Sequence, residues 1–138
     1  MKRPFHAFLL PALLLLSLPL WGGEKEEASD FTLETLSGGR LSLSDRLGKE
    51  VIYLSFWATW CTPCKLEMGQ LERLYRKYRT RGFTVIAVNV DDSETVSQVR
   101  PFVRQKRFTF PVVLDRDRQV AGRYDPAGVI PYGVLIDR

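Results

Sequence analysis

The sequence predicts an α/β fold, a sheet covered on both faces by helices, and three observations carry that prediction. Short apolar runs rich in β-branched and aromatic residues occupy positions 51–57, 83–90, 111–114 and 132–136, and read as strands. Between them lie segments whose apolar residues recur at steps of three and four, the pattern of a helix with one buried face. Strands alternating with helices in this way argue for βαβ units.

The chain opens with Met1-Lys2-Arg3, runs apolar from Ala7 to Trp21, and reaches Gly22-Gly23 and an acidic patch. A basic start, an apolar stretch and a small-residue exit make the layout of a secretory signal. The apolar run is about 15 residues and holds Pro11 and Pro19, where a membrane span needs roughly 20. Bulky Leu20 and Trp21 precede Gly22, so residues 1–22 are read as a signal peptide or an uncleaved membrane anchor. No cysteine follows the apolar run, which argues against a lipid-modified N-terminus. Residues 23–138 then form one domain with a modest core. Lys2 and Arg3 account for half of the formal charge of +4. The remaining basic residues interleave with acids on predicted helices, and no stripe for nucleic acid appears.

Residues 31–43 alternate in part around Ser37-Gly38-Gly39 and read as an N-terminal hairpin or extended arm. Residues 51–57 form a buried strand. A helix follows over 62–80, with Met68, Leu71, Leu74, Tyr75 and Tyr78 on its buried face and Gly82 at its end. Residues 83–90 form a second strand. Asp91-Asp92-Ser93 offers N-cap candidates for a helix from Glu94 to about Lys106, with Val96, Val99 and Val103 on one face. Pro101 should kink or restart that helix, because an interior proline costs about 3 kcal/mol. A short strand at 111–114, a short helix at 117–124 and a last strand at 132–136 complete the order.

The chain has two cysteines, in Trp60-Cys61-Thr62-Pro63-Cys64. A disulfide between them would enclose two residues, and so short a loop makes a poor structural staple. Export would place the pair where disulfides persist. The segment joins a strand to a helix, which sets Cys61 at a helix N-terminus. Unpaired N–H groups and the positive end of the helix dipole stabilise a thiolate there. A thiolate is the attacking species in disulfide exchange. Pro63 falls in the first turn, where its missing N–H costs little. These positions predict Cys61 as nucleophile and Cys64 as the resolving thiol.

Glu67 lies three residues beyond Cys64, on the same helical face. Residues three and four away carry no positive charge, so a helix ion pair does not account for it. It is either a proton partner for Cys64 or a solvated surface glutamate. His6 is the single histidine, which leaves no imidazole in residues 23–138. A structural zinc site needs four ligands, and two thiols do not supply them. A two-thiolate copper(I) site with Met68 is the rival use of the pair. The expectation is no metal and no cofactor.

The run Phe56-Trp57-Ala58-Thr59-Trp60-Cys61-Thr62-Pro63-Cys64-Lys65-Leu66-Glu67-Met68 closely resembles the TlpA/ResA-like branch of extracytoplasmic thioredoxin-like thiol-disulfide oxidoreductases. The resemblance extends over most of residues 29–138. It includes the segment from Phe110 to Asp115, then Ile130-Pro131 and Leu135-Ile136-Asp137. It implies a thioredoxin-like fold: an N-terminal hairpin and a central mixed sheet flanked by helices. It also implies that Ile130-Pro131 is a cis-proline loop beside the cysteines, offering backbone hydrogen bonds to substrate. Glu67 corresponds to the acidic residue this branch places near its redox pair, and Trp60 would flank the pair at the surface. Trp57 belongs to the core.

Three positions depart from the pattern. Ser55 stands where thioredoxins carry a buried aspartate and this branch often an asparagine. Gly69 stands where relatives usually have a helix-kinking proline. Relatives also continue past the Leu-Ile-Asp strand with another strand and a helix, so a C-terminally truncated domain with an exposed apolar sheet face is expected.

The leading function is thus extracytoplasmic dithiol–disulfide exchange, reducing protein disulfides, with cytochrome c maturation as a family-level role. The resemblance implies protein thiol or disulfide substrates, a membrane-embedded electron donor and a monomer. The alternatives are a peroxiredoxin-like peroxidase and a non-catalytic module that binds metal or peptide.

Overall fold

The computed structural model describes residues 27–138; the expected signal or anchor at 1–22 lies outside the described residues. Six strands form one mixed sheet: β1 (Thr32–Thr35), β2 (Arg40–Ser42), β3 (Val51–Trp57), β4 (Phe83–Asn89), β5 (Val112–Leu114) and β6 (Tyr132–Ile136). Their order is β2-β1-β5-β4-β3-β6. β3, β4 and β5 run parallel, while β1, β2 and β6 pair antiparallel to their neighbours. Three helices accompany them: α1 (Thr62–Tyr78), α2 (Val99–Lys106) and α3 (Gln119–Tyr124). No helix among the described residues is long and apolar enough to cross a membrane.

β3 and β4 form the interior because their sequences are nearly continuous in apolar residues, as a strand covered on both faces requires. Side chains alternate across the pleat. On one face Phe56 meets Tyr124 of α3, with ring centroids 5.8 Å apart. On the other, Trp57 meets Phe102 of α2 at 5.5 Å. Tyr53 shares that face and reaches Glu67 of α1. Thus α1 and α2 lie on one side of the sheet and α3 on the other, as the alternating elements predicted.

The helical face of α1 differs from the expectation at two positions. Leu74 is 44% exposed, and Glu72 is buried in its place. The reason is hydrogen bonding. Glu72 accepts from the backbone N–H of Thr109 at 2.8 Å and its hydroxyl at 2.7 Å, and pairs with Arg76 at 2.5 Å. The carboxylate ties the helix to the loop before β5. α1 runs unbroken through Gly69, tightens into a 3₁₀ turn at Arg79–Arg81, and stops at Gly82 with φ 76°.

The helix expected from Glu94 begins later. A 3₁₀ turn covers Val96–Gln98 and the α-helix starts at Val99. Pro101 explains this. As the third residue of α2 it sits in the first turn, where N–H groups have no intrahelical partner to lose.

At the far edge, β6 pairs only with β3 among the described residues. Leu135 is 67% exposed, while Tyr132, Val134 and Ile136 are half-buried.

Glu72 carries a stability prediction with a defined sign. Burial would raise its proton affinity, but the Thr109 and Arg76 hydrogen bonds outweigh it and hold its carboxyl below the ordinary value. A depressed value in the folded state gives stability above the unfolded value that is lost as pH falls. Glu72→Ala should therefore cost about 2 kcal/mol at pH 7 in urea unfolding, and much less at pH 3.

Candidate active site

Parallel strands end together, so the C-terminal ends of β3 and β4 meet at one end of the sheet. Their last pair is Trp57 with Asn89. The chain leaving β3 passes through Ala58, Thr59 and Trp60 into α1. Cys61 is the N-cap of α1, in extended conformation, with Pro63 in the first turn. Its sulfur accepts the Cys64 backbone N–H at 3.3 Å. The two cysteines form a disulfide, with Cα atoms 5.3 Å apart. Cys64 is fully buried, and Cys61 keeps 5% exposure.

The antiparallel register of β6 on β3 brings a second segment to the same end. Tyr132, the first residue of β6, pairs with Phe56 near the end of β3. The preceding peptide, Ile130-Pro131, is cis. Ile130 is half-buried against the core, and Pro131 is exposed. Trp60 stands 53% exposed before the cysteines, and Val129 is 66% exposed. The sheet topology therefore carries Trp60, Cys61, Ile130 and Pro131 to one end of the molecule, although about 70 residues separate the two segments.

Glu67 is half-buried one turn along α1 from Cys64. Its Oε1 accepts the Tyr53 hydroxyl at 2.9 Å. Its Oε2 is buried and has no hydrogen-bond partner among the described residues. Tyr53 is pushed up to about 12, first by burial and then by its bond to Glu67 and that carboxylate's charge. Ser55 and Trp57, on the same face of β3 as Tyr53, also carry buried unpartnered atoms, Oγ and Nε1. Ser55 brings no acid to this face.

The sequence reading missed Asp91. Among the cap candidates, Asp92 does accept from the Glu94 and Thr95 N–H groups at 3.0 and 3.1 Å. Asp91 instead turns inward and is fully buried. It accepts the Thr59 N–H at 2.8 Å, the Thr59 hydroxyl at 2.5 Å and the Asn89 side-chain amide at 2.6 Å. Its own N–H donates to Asn89 Oδ1 at 3.2 Å. This clamp fixes the loop two residues before Cys61. A sequence signal existed: two adjacent aspartates after an apolar strand cannot both serve one N-cap.

A family model described as "AhpC/TSA family" matches residues 25–138. The thiol-disulfide oxidoreductase ResA of Bacillus cereus is 39% identical over 113 residues, which are 82% of this chain and 63% of that protein. ResA of Bacillus subtilis is 43% identical over 102 residues, 74% of this chain and 55% of that one. This chain thus spans less than two thirds of those relatives. A crystal structure from Chlorobium tepidum, assigned to a thiol:disulfide interchange protein DsbE, is 34% identical. It covers 82% of this chain and 77% of its own, with a TM-score of 0.73. The fold is thioredoxin-like, with the mixed sheet and flanking helices described above.

Removing the Asp91 clamp should loosen the approach to Cys61. Asp91→Ala leaves the buried Thr59 N–H unpaired and the Asn89 amide with only its 3.5 Å bond to the Trp57 carbonyl, which should cost about 3 kcal/mol. Amide exchange at Thr59, read by NMR in the oxidised protein, should accelerate more than exchange in β4.

Proposed function

This chain belongs to the AhpC/TSA family, and on that footing we propose that it is a thiol-disulfide oxidoreductase working through Cys61 and Cys64. The observation that carries the proposal is the Cys61–Cys64 disulfide at the N-terminus of α1, held to one end of the sheet. The names of the ResA relatives support it.

The exchange runs in two steps. In the dithiol form, the Cys61 thiolate attacks a substrate disulfide, and one substrate sulfur leaves as a thiolate. Cys61 is then joined to the other substrate sulfur. Cys64 next gives its proton to Glu67 and attacks the Cys61 sulfur. The Cys61–Cys64 bond forms and the second substrate thiolate leaves. The substrate disulfide gains two electrons, and the protein's two sulfurs lose them. Helix N–H groups stabilise the Cys61 thiolate. One helical turn separates the two cysteines, which suits an intramolecular second step.

The substrates proposed are disulfides in proteins, met at Trp60, Ile130 and Pro131. An exposed aromatic ring and an exposed cis-proline turn at the same end of the sheet as a nearly buried sulfur suit a polypeptide. The setting proposed is outside the cytoplasm, with residues 1–22 as signal or anchor and a membrane-embedded donor returning electrons to the pair. Apocytochrome c with its cysteine pair oxidised to a disulfide is the substrate class that this reductive role would serve, its thiols being the product. Residues 23–138 are proposed to act as a monomer.

Two measurements test the proposal. Alkylation of Cys61 in the reduced protein should show a midpoint below the free-thiol value of about 8.5. Cys64→Ser should accumulate a mixed disulfide with a protein substrate, and Cys61→Ser should form none. A Cys61 midpoint at the free-thiol value, with no Cys61–Cys64 disulfide formed on oxidation, overturns it.

A further inference from the structure

Glu67 presents two oxygens in different surroundings. Oε1 is held by the Tyr53 hydroxyl at 2.9 Å, while Oε2 is buried and unpartnered among the described residues. A buried acceptor without a donor is costly, and such groups call for a reason. Glu67 also lies one turn from Cys64, where side chains share a face.

The donor to Oε1 comes from β3, and its path depends on one glycine of β6. Gly133 pairs with Ser55, diagonal to Tyr53 on the same ladder. A Cβ built on Gly133 would overlap the Tyr53 hydroxyl and stand 2.6 Å from Cζ. The phenol therefore lies across the bare backbone of the edge strand to reach α1. Its raised value keeps it protonated, a standing donor at neutral pH.

We propose that Tyr53 is a positioning residue for the Cys64 proton step: lying over Gly133, it holds one carboxylate oxygen of Glu67 and leaves the other free to take the proton. The inference rests on the dithiol exchange proposed above. When the Cys64 thiol loses its proton to Oε2, the proton ends on Glu67 and the sulfur's electron pair forms the bond to Cys61. Tyr53 transfers nothing. It stabilises the charged carboxylate through a charge-assisted hydrogen bond. The groups facing Glu67 allow this reading. Among the described residues Tyr53 of β3 is its one hydrogen-bond partner, Gly133 and Leu135, which pair with β3 beside Tyr53, are uncharged, and the positions three and four away on α1 are Pro63, Cys64, Gln70 and Leu71. None of the ion pairs among the described residues includes Glu67.

The test follows the resolving step directly. The reduced full chain is mixed with glutathione disulfide, and the decay of the Cys61–glutathione mixed disulfide is followed against pH by quenched mass spectrometry. The wild-type rate should fall on the acid side, where the acceptor for the Cys64 proton is lost. In Tyr53→Phe resolution should slow severalfold, and the acid limb of its pH profile should move to higher pH. Gly133→Ala, which displaces the phenol, should give the same shift and add nothing in the Tyr53→Phe background. An infrared titration of the Glu67 carboxylate band in the oxidised protein, assigned by difference from Glu67→Gln, should move in the same direction without any turnover. An unchanged profile and an unchanged band in a folded Tyr53→Phe, with the wild type turning over, overturn this inference alone. A wild type that never resolves the glutathione adduct overturns the dithiol reading instead.

Discussion

The seven-residue parallel pairing of β3 with β4 is the constraint on which the candidate site depends. Parallel strands deliver their C-terminal ends to one side of the sheet, and the candidate site gathers there. Trp57 and Asn89 form the last rung, so the loop to Cys61 and the loop through Asp91 leave the sheet side by side. An antiparallel β6 beside β3 must then begin where β3 ends. That register brings Ile130-Pro131 to the same end of the sheet as the cysteines. A register shift of two residues on β6 would leave the core pattern intact and move the proline by about 7 Å. The site thus depends on pairing more than on any single contact within it.

Apolar burial fixes the layers but has no direction, because it scales with area removed from water. Direction comes from buried carboxylates. Asp91 joins residues 59 and 91, and Glu72 joins residues 72 and 109. Asp115, fully buried, accepts the N–H groups of Val120 and Ala121 and seats the start of α3. Each holds a loop or helix end against the sheet through several donors at once, as a buried anion requires. Of the three, Asp91 is next to the redox loop, so the rigidity of the Cys61 approach rests on hydrogen bonds made by β4's end.

What the sequence made legible follows from range. β3, α1 and Gly82 are local: their apolar period and stop signal lie within windows of under 20 residues, and the structure has them within two or three residues. The placement of the cysteine pair at a helix N-terminus was legible for the same reason. Asp91 was read as a cap candidate because its partner Thr59 lies 32 residues away. Glu72 was overlooked and Leu74 placed inward because a periodicity argument sees only the helix. It cannot see Thr109, 37 residues on, supplying two donors to a carboxylate. Tyr53 read as one more aromatic of a buried strand, since nothing local says that Gly133 will lie beside it. The late start of α2 was half legible: Pro101 announced a restart, and its place in the first turn shows how the restart is made.

The two sulfurs are distinguished by fold before any chemistry begins. Cys64 faces the interior of α1 with no exposure, and Cys61 sits at the cap with a little. The backbone N–H of Cys64 already donates to the Cys61 sulfur, so one more donor favours negative charge on Cys61. Nothing equivalent serves Cys64, whose surroundings are the core. A thiol held there stays neutral unless a base takes its proton, since burial disfavours the thiolate. The asymmetry therefore calls for a proton acceptor on the inner side. In the described residues the buried, unpartnered oxygen one turn along the helix belongs to Glu67. In the proposed exchange the outer sulfur needs no base, because a helix end favours a thiolate. A single helix N-terminus thus divides the proposed roles: electrostatics for Cys61, and a carboxylate held by Tyr53 for Cys64.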